Sequence, residues 1–369
     1  MYHRVLALII KEFLAILRDA KSRMVLVGPP LVQLLVFGYA ATFNLNHVPF
    51  AVYNQDRGTA SLDLVAHFTN SAAFEKFAVL NSDNQIKSLI DSRQVEMVLV
   101  IDPRFSRDLL THQPAPVQVI VDGRNSNTAL LILGYANTIL MNYSRTWATA
   151  HGAPPPLAEI VPRALFNQNL DSRWFIIPGI VALLTQVVTL LVVGLSVARE
   201  REAGTFDQIL VTPMRPLDIL LGKSIPGLLI GVIEGSVIIL ATVFWFKVPL
   251  YGGLLQLYLG LLLFVLAITG IGLMISSIAA TQQQALLGAF LFMVPSIILS
   301  GFATPISNMP VIIQYLTLIN PLRYALVVIR SSFLQHPSFM SLLPQYLPMA
   351  ALALASLIAA DWLFRKRAV

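Results

Sequence analysis

Trp174–Ala198 reads WFIIPGIVALLTQVVTLLVVGLSVA, 25 residues without one charged side chain. At 1.5 Å per residue a helix of this length runs about 37 Å, enough to cross a hydrocarbon core of ~30 Å. The run stops abruptly at Arg199-Glu200-Arg201-Glu202. A long apolar helix ending in charges of both signs is a membrane span meeting an aqueous face.

Working outward, five further stretches have the same character: Met24–Phe43, Ser224–Phe246, Leu254–Ile278, Ala285–Ser300 and Leu347–Phe364. The fold class they predict is an α-helical integral membrane protein with six transmembrane helices. Composition agrees, with 56% hydrophobic and only 12% charged residues and a mean hydropathy of +0.72. Soluble domains carry about twice that share of charge. A net charge of +6 raises the question of nucleic acid, but the basic residues flank apolar segments and form no patch, so no nucleic-acid partner is expected. With no cysteine, disulfides, thiolate nucleophiles and cysteine metal sites are excluded.

Ile306–Ile329 is also apolar, but Asn320, Pro321 and Arg323 interrupt it. An arginine in mid-membrane costs about 2.5–3.5 kcal/mol. Counting it as a span would also separate the two basic termini, Arg4 to Arg23 and Arg365 to Arg367. Both termini are therefore expected in the cytoplasm, and 301–346 is read as re-entrant helices and an outer loop. Residues 365–369 are then a cytoplasmic tail.

Residues 44–173 are long enough for one compact domain, and this topology puts them outside, as an inserted extracytoplasmic, periplasmic α/β domain. Strand-like runs at Phe50–Tyr53, Phe77–Leu80, Val95–Ile101 and Val117–Val121 alternate with helical stretches at Ser61–Thr69 and Asn125–Trp147. Within residues 1–23, Arg4, Lys11 and Arg18 recur every seven positions beside Leu6, Ile9, Ile10 and Phe13, the pattern of an interfacial helix touching membrane lipid.

Catalytic signatures are weak. Gly222-Lys223-Ser224 ends like a phosphate-binding loop, but Leu217 stands where its first glycine belongs, and Lys223 reads as a flank residue. Gly270 and Gly272 begin a dinucleotide-like pattern that Ile275 breaks. The six histidines show no metal-ligand spacing. The chain is not expected to be an enzyme.

Two features within the spans stand out. Gly227, Gly231 and Gly235 recur every fourth residue, a smooth stripe for close helix approach. Glu234 beside them is either a substrate or ion site on a path or a packed, hydrogen-bonded acid. At the end of the last strand-like run, Asp122, Arg124, Asn125 and Asn127 form a polar cluster. It reads either as a turn and helix cap or as a docking point for a periplasmic adaptor. Residues 199–223 form a small cytoplasmic loop, in which Phe206, Ile209 and Leu210 fall at helical spacing until Thr212 and Pro213, and Leu217 to Lys223 restarts a helix with Pro216 suited to its first position. The loop either transmits a push from a soluble partner or merely caps and anchors its spans.

ARERE-x-GT-x-DQ-x-L-x-TP at Ala198–Pro213, followed by ILLGK at Ile219–Lys223, resembles the signature of ABC-2 type exporter permeases. The likeness extends through DGRNSN (Asp122–Asn127), ISS-x-x-x-TQQQA (Ile275–Ala285), LSG-x-x-x-P-x-x-NMP (Leu299–Pro310) and INP-x-RY (Ile319–Tyr324). Members of that family pair two permease chains in the bacterial inner membrane above separate ABC ATPase subunits. The resemblance implies that ATP and Mg are held by the partner ATPase, with no cofactor in this chain, and that cargo is exported. It implies an ATPase-coupling surface at Arg199, Glu200, Arg201, Glu202, Gly204, Thr205, Phe206 and Asp207. An ion-coupled antiporter using Glu234 is the alternative.

Overall fold

The computed structural model describes residues 2–18, 20–40, 45–152, 165–167, 171–206, 208 and 215–368. The chain separates into two compact units, one built from 1–42 and 164–369 and the other from 43–163.

The smaller unit is a mixed four-stranded sheet, β1 (Val48–Asn54), β2 (Phe74–Val79), β3 (Met97–Ile101) and β4 (Val117–Val121), in the order β2-β1-β3-β4. β1 pairs in parallel with β2 and β3, while β3 pairs antiparallel with β4. Alternation along β1 explains the layering. Phe50 and Val52 point into a core with Leu64 and Phe68 of α3 (Thr59–Thr69) and Ile132 of α6 (Ser126–Ala150). Ala51, one residue out of phase, packs on the opposite face with Ile86 of α4 (Asn84–Asp91). A short α5 (Phe105–Leu110) follows β3; the backbone amide of its Ser106 donates to Asp56, 3.1 Å away.

Among the described residues the regular structure of the larger unit is all helical. It begins with α1 (Tyr2–Arg18) and α2 (Ala20–Ala40), then α7 (Ser172–Gly194), α8 (Ser196–Glu202) and α9 (Pro216–Phe244). α10 (Leu254–Ile278), α11 (Gln282–Ile298), α12 (Val311–Leu316), α13 (Pro321–Leu334) and α14 (Phe339–Ala368) follow. Among the described residues, four helices are long and apolar enough to cross a membrane: 172–202, 217–244, 254–278 and 339–366. The pair 311–319 and 321–334 would make a fifth, but it is bent by 82°. The bend falls at Asn320-Pro321, where Pro321 has no amide to continue the preceding turn. Two of the six expected spans are shorter apolar helices, 26–39 and 282–298. The second, of 17 residues, extends about 26 Å.

α10 runs through the centre. Leu257, Leu261, Phe264, Val265 and Ile268 are fully buried among Ile177 and Ile180 of α7 and Leu322, Val328 and Ile329 of α13. The Asn320 side chain caps α13 by accepting from Leu322 N at 3.1 Å and donates to the Ser296 carbonyl of α11 at 2.7 Å. Ser296 Oγ in turn donates to Asn320 Oδ1 (2.9 Å) and accepts from Gln186 Nε2 of α7 (3.2 Å). This buried polar lock fixes the bent pair to two neighbouring helices.

Candidate functional site

The charged segment after α7 does not dangle. At Leu195 the helix breaks, and the amides of Val197 and Ala198 donate to Ser276 Oγ of α10 at 2.9 and 3.2 Å. α8 then carries Arg199–Glu202, and Gly204, at φ +69°, closes it in the left-handed conformation that glycine adopts without steric cost. Thr205 N turns back to the Glu200 carbonyl at 3.0 Å.

Each charge of α8 has a different environment. Glu200 points inward and is 9% exposed. It pairs with Lys11 of α1 and lies 2.6 Å from Lys223 Nζ of α9, a second ion pair. Lys223, wholly buried, also donates to Glu12 of α1 at 3.0 Å and to the Ser196 carbonyl at 3.2 Å. Two carboxylates and two ammonium groups thus join α1, α8 and α9. Arg201 donates to the carbonyls of Ser277 (2.7 Å) and Ala279 (3.2 Å) at the end of α10, and its guanidinium lies 4.8 Å from the Phe206 ring centre. Glu202 is exposed and accepts from Gln282 N at 2.7 Å, at the start of α11, where the helix dipole favours a negative charge. Arg199 is partly exposed, and Gly204 is exposed. Phe206 packs edge-on against Phe364 of α14 in a core with Leu8, Val197, Ile219, Leu220 and Leu273. Asp207, and with it Ile209, Leu210, Thr212 and Pro213, lies outside the described residues.

One expectation needs correction. Lys223 is no flank residue at a water boundary but the centre of a buried ion network, because three helices converge on its ammonium group. Pro216 at the first position and the Asp218 carboxylate accepting from Arg215 N (3.2 Å) start α9, so 216–223 are its opening turns, where the sequence places a restarting helix. The ISS and TQQQA segments, far away in sequence, supply Ser276, Ser277 and Gln282 to α8, a convergence their composition does not signal.

The glycine stripe lies against α7 and α10. A Cβ at Gly227 would meet Val193 at 2.1 Å, one at Gly231 would meet Thr189 at 2.3 Å, and one at Gly235 would meet Leu261 at 3.0 Å. Glu234 turns the other way, and both its carboxylate oxygens are buried without a hydrogen-bond partner. Asp361 forms an i,i+4 pair with Arg365 at 2.9 Å.

In the smaller unit, Asp122 accepts from Arg124 Nε (2.8 Å) and from the Arg124 amide (3.0 Å). The Arg124 hydrogen bonds hold its carboxyl at about 2, below the ordinary carboxylate range. Asn125 caps α6, accepting from Thr128 N, while Asn127 is exposed and lies outside this cap. The geometry is that of a turn and cap. Among the described residues no group of three or more histidine and acidic side chains could hold a metal ion.

Sequence comparison agrees with this architecture. The family model for the "ABC-2 family transporter protein" matches residues 24–360. The chain is 36% identical over 368 residues to the probable multidrug ABC transporter permease YbhR of Escherichia coli K12, covering 100% of both. It is 34% identical to the probable multidrug ABC transporter permease YbhS of the same organism, over 90% of this chain and 89% of the relative. With the inner membrane transport permease YhhJ, also from Escherichia coli K12, the identity is 28% over 97% and 96%. From a match spanning nearly the whole chain and its apolar helices, it follows that this protein belongs to the ABC-2 transporter family of membrane permeases.

Proposed function

We propose that the chain is the membrane-spanning subunit of an ATP-driven exporter in the bacterial cytoplasmic membrane. Two permease chains pair, and a separate cytoplasmic ABC ATPase subunit holds ATP and Mg and grips the Arg199–Pro213 segment. The two chain ends are cytoplasmic, 43–163 lies outside, six helices cross, and the bent 311–334 pair re-enters from the outer side. The cargo is an amphipathic, drug-like organic compound, since the spans offer apolar surface and few fixed charges.

The observation that carries this reading is the anchoring of α8. A force applied at Arg199–Thr205 reaches α1 and α9 through Lys11, Glu12 and Lys223, α10 through Arg201, and α11 through Glu202. A segment that only capped α7 would not need rigid bonds to four other helices. Ion pairs buried this deeply transmit displacement because separating them uncovers charge at a cost of several kcal/mol.

Co-purification of the chain with an ATPase encoded beside it, followed by ATP-dependent transport in proteoliposomes, tests the reading. Glu202→Ala or Gly204→Val should insert normally yet uncouple transport from ATP hydrolysis; full coupling in both variants would remove the assignment of this segment. A second reading, ion-coupled antiport, draws support from the unpartnered carboxylate of Glu234. Gradient-driven flux by the chain alone would favour it.

A further inference from the structure

Glu234 stands ten residues before the end of α9 at Phe244, about 15 Å along the axis and so near the middle of the span. The glycine stripe holds one side of α9 against α7 and α10, and Glu234 faces the groove that α9 forms with α1 and α2. That groove contains a cavity of about 380 Å³, within the range of small-molecule sites. Phe13 and Leu17 of α1, Leu31 and Leu34 of α2, and Ile230 and Ile238 of α9 are among its walls. Among the described residues, Glu234 is its one ionisable lining group, with no lysine, arginine or histidine beside it.

A carboxylate with both oxygens buried and unpaired in apolar surroundings is costly, and it is retained only where a proton or another cation completes it. The walls decide what else a guest must be. Among the described residues they offer no polar side chain apart from Glu234, so a hydrated metal ion would lose its water without replacement ligands. An organic cation, whose charge sits on an apolar body, loses far less. The mouth is bordered by Val27, Leu31, Ile233 and Val237, all roughly half exposed on the surface of membrane-embedded helices. A guest therefore arrives sideways from the hydrocarbon phase.

We infer that the α1–α2–α9 cavity is a binding site for a hydrophobic organic monocation, with its charge on Glu234 and its apolar body against Phe13, Leu17 and Leu31. The inference rests on the exporter reading and names the class of compound that the exporter takes up from the membrane. Glu234 is then a ligand-binding residue, and the helix that carries it also carries Lys223 of the ion network. Eleven residues, about 16 Å of helix, separate the two.

Tetraphenylphosphonium and tetraphenylborate have nearly the same shape and opposite charge, so they isolate the role of the carboxylate. Equilibrium binding of each is measured on the full-length chain in lipid nanodiscs, with empty nanodiscs subtracted. The wild type should bind the phosphonium at least tenfold more tightly than the borate. Glu234→Gln, isosteric and neutral, should lose at least tenfold for the phosphonium and change less than twofold for the borate. Ile230→Trp, which fills the cavity and keeps the carboxylate, should abolish phosphonium binding as well. Phosphonium binding equal in wild type and Glu234→Gln would overturn the inference. So would failure of the wild type to bind the phosphonium, the result expected if a permanently protonated Glu234 or a second copy of the chain closes the cavity. The exporter reading is scored separately. ATP-driven efflux of any amphipathic dye, neutral or charged, by the wild-type chain with its ATPase leaves that reading intact even if phosphonium binding fails, and absence of ATP-driven efflux for cationic and neutral dyes alike defeats it.

Discussion

Replacing Lys223 with methionine should be among the most damaging single changes in the larger unit. The substitution keeps the length and apolar stem of the side chain and deletes only the ammonium group. In the folded protein that group lies 3.0 Å from Glu12 and 2.6 Å from Glu200, with the three side chains exposed by 0%, 8% and 9%. Glu200 retains Lys11, whereas Glu12 loses its only ion-pair partner among the described residues. Removing one member of a buried ionic cluster costs about 3–5 kcal/mol because a charge is left buried and uncompensated. At roughly 2–4 °C per kcal/mol for a unit of this size, the melting temperature should fall by about 6–20 °C. The double variant Lys223→Met with Glu12→Gln removes the stranded charge and should recover at least half of the loss. Thermal unfolding of the four members of this cycle in lipid nanodiscs checks the prediction. A single-variant loss below about 0.5 kcal/mol, or double-variant additivity, would show that the network holds nothing together.

Gly231→Ala places a Cβ 2.3 Å from Thr189 and 2.8 Å from Val265, and should destabilise by about 1–3 kcal/mol in the same thermal assay. Gly134→Ala in α6, where a Cβ meets nothing within 4 Å, should instead be neutral or gain up to about 1 kcal/mol. Asn320→Ala removes a helix cap and the two bonds of Asn320 to Ser296, which keeps Gln186, for a combined loss of about 2–4 kcal/mol measured by thermal unfolding. Because Arg124 holds the folded-state value of Asp122 at about 2, below its ordinary 3.8, the stabilisation is fully present above the latter and disappears as pH falls through about 2. The difference in melting temperature between wild type and Asp122→Asn should therefore be complete at pH 5 and mostly lost by pH 2.

Much of this architecture is written in local pattern. The uncharged run at 174–198 became α7 and the start of α8, the strand-like runs fell on β1 to β4, and the breaker Asn320-Pro321 became an 82° bend. Short-range periodicity encodes such features, so they are legible without a structure. The Arg199–Thr205 segment was visible through its motif, but its wiring was not. Lys11 and Glu200 are 189 positions apart, and Lys223 and Glu12 are 211 apart. Nothing in the charge pattern of α1 distinguishes Glu12, which turns inward, from Lys11, which is half exposed. Lys223 looked like an ordinary flank because its two carboxylates come from other helices. The cavity beside Glu234 was hidden for the same reason, since α1 and α2 supply most of one wall.

The measurement that tests the central claim most directly is transport by the purified chain in proteoliposomes, with and without its ATPase subunit. Outward movement of an amphipathic dye should require the ATPase and ATP together, and a sodium or proton gradient alone should move nothing. Gradient-driven flux through the chain by itself, at a rate matching the assembled complex, would contradict the account.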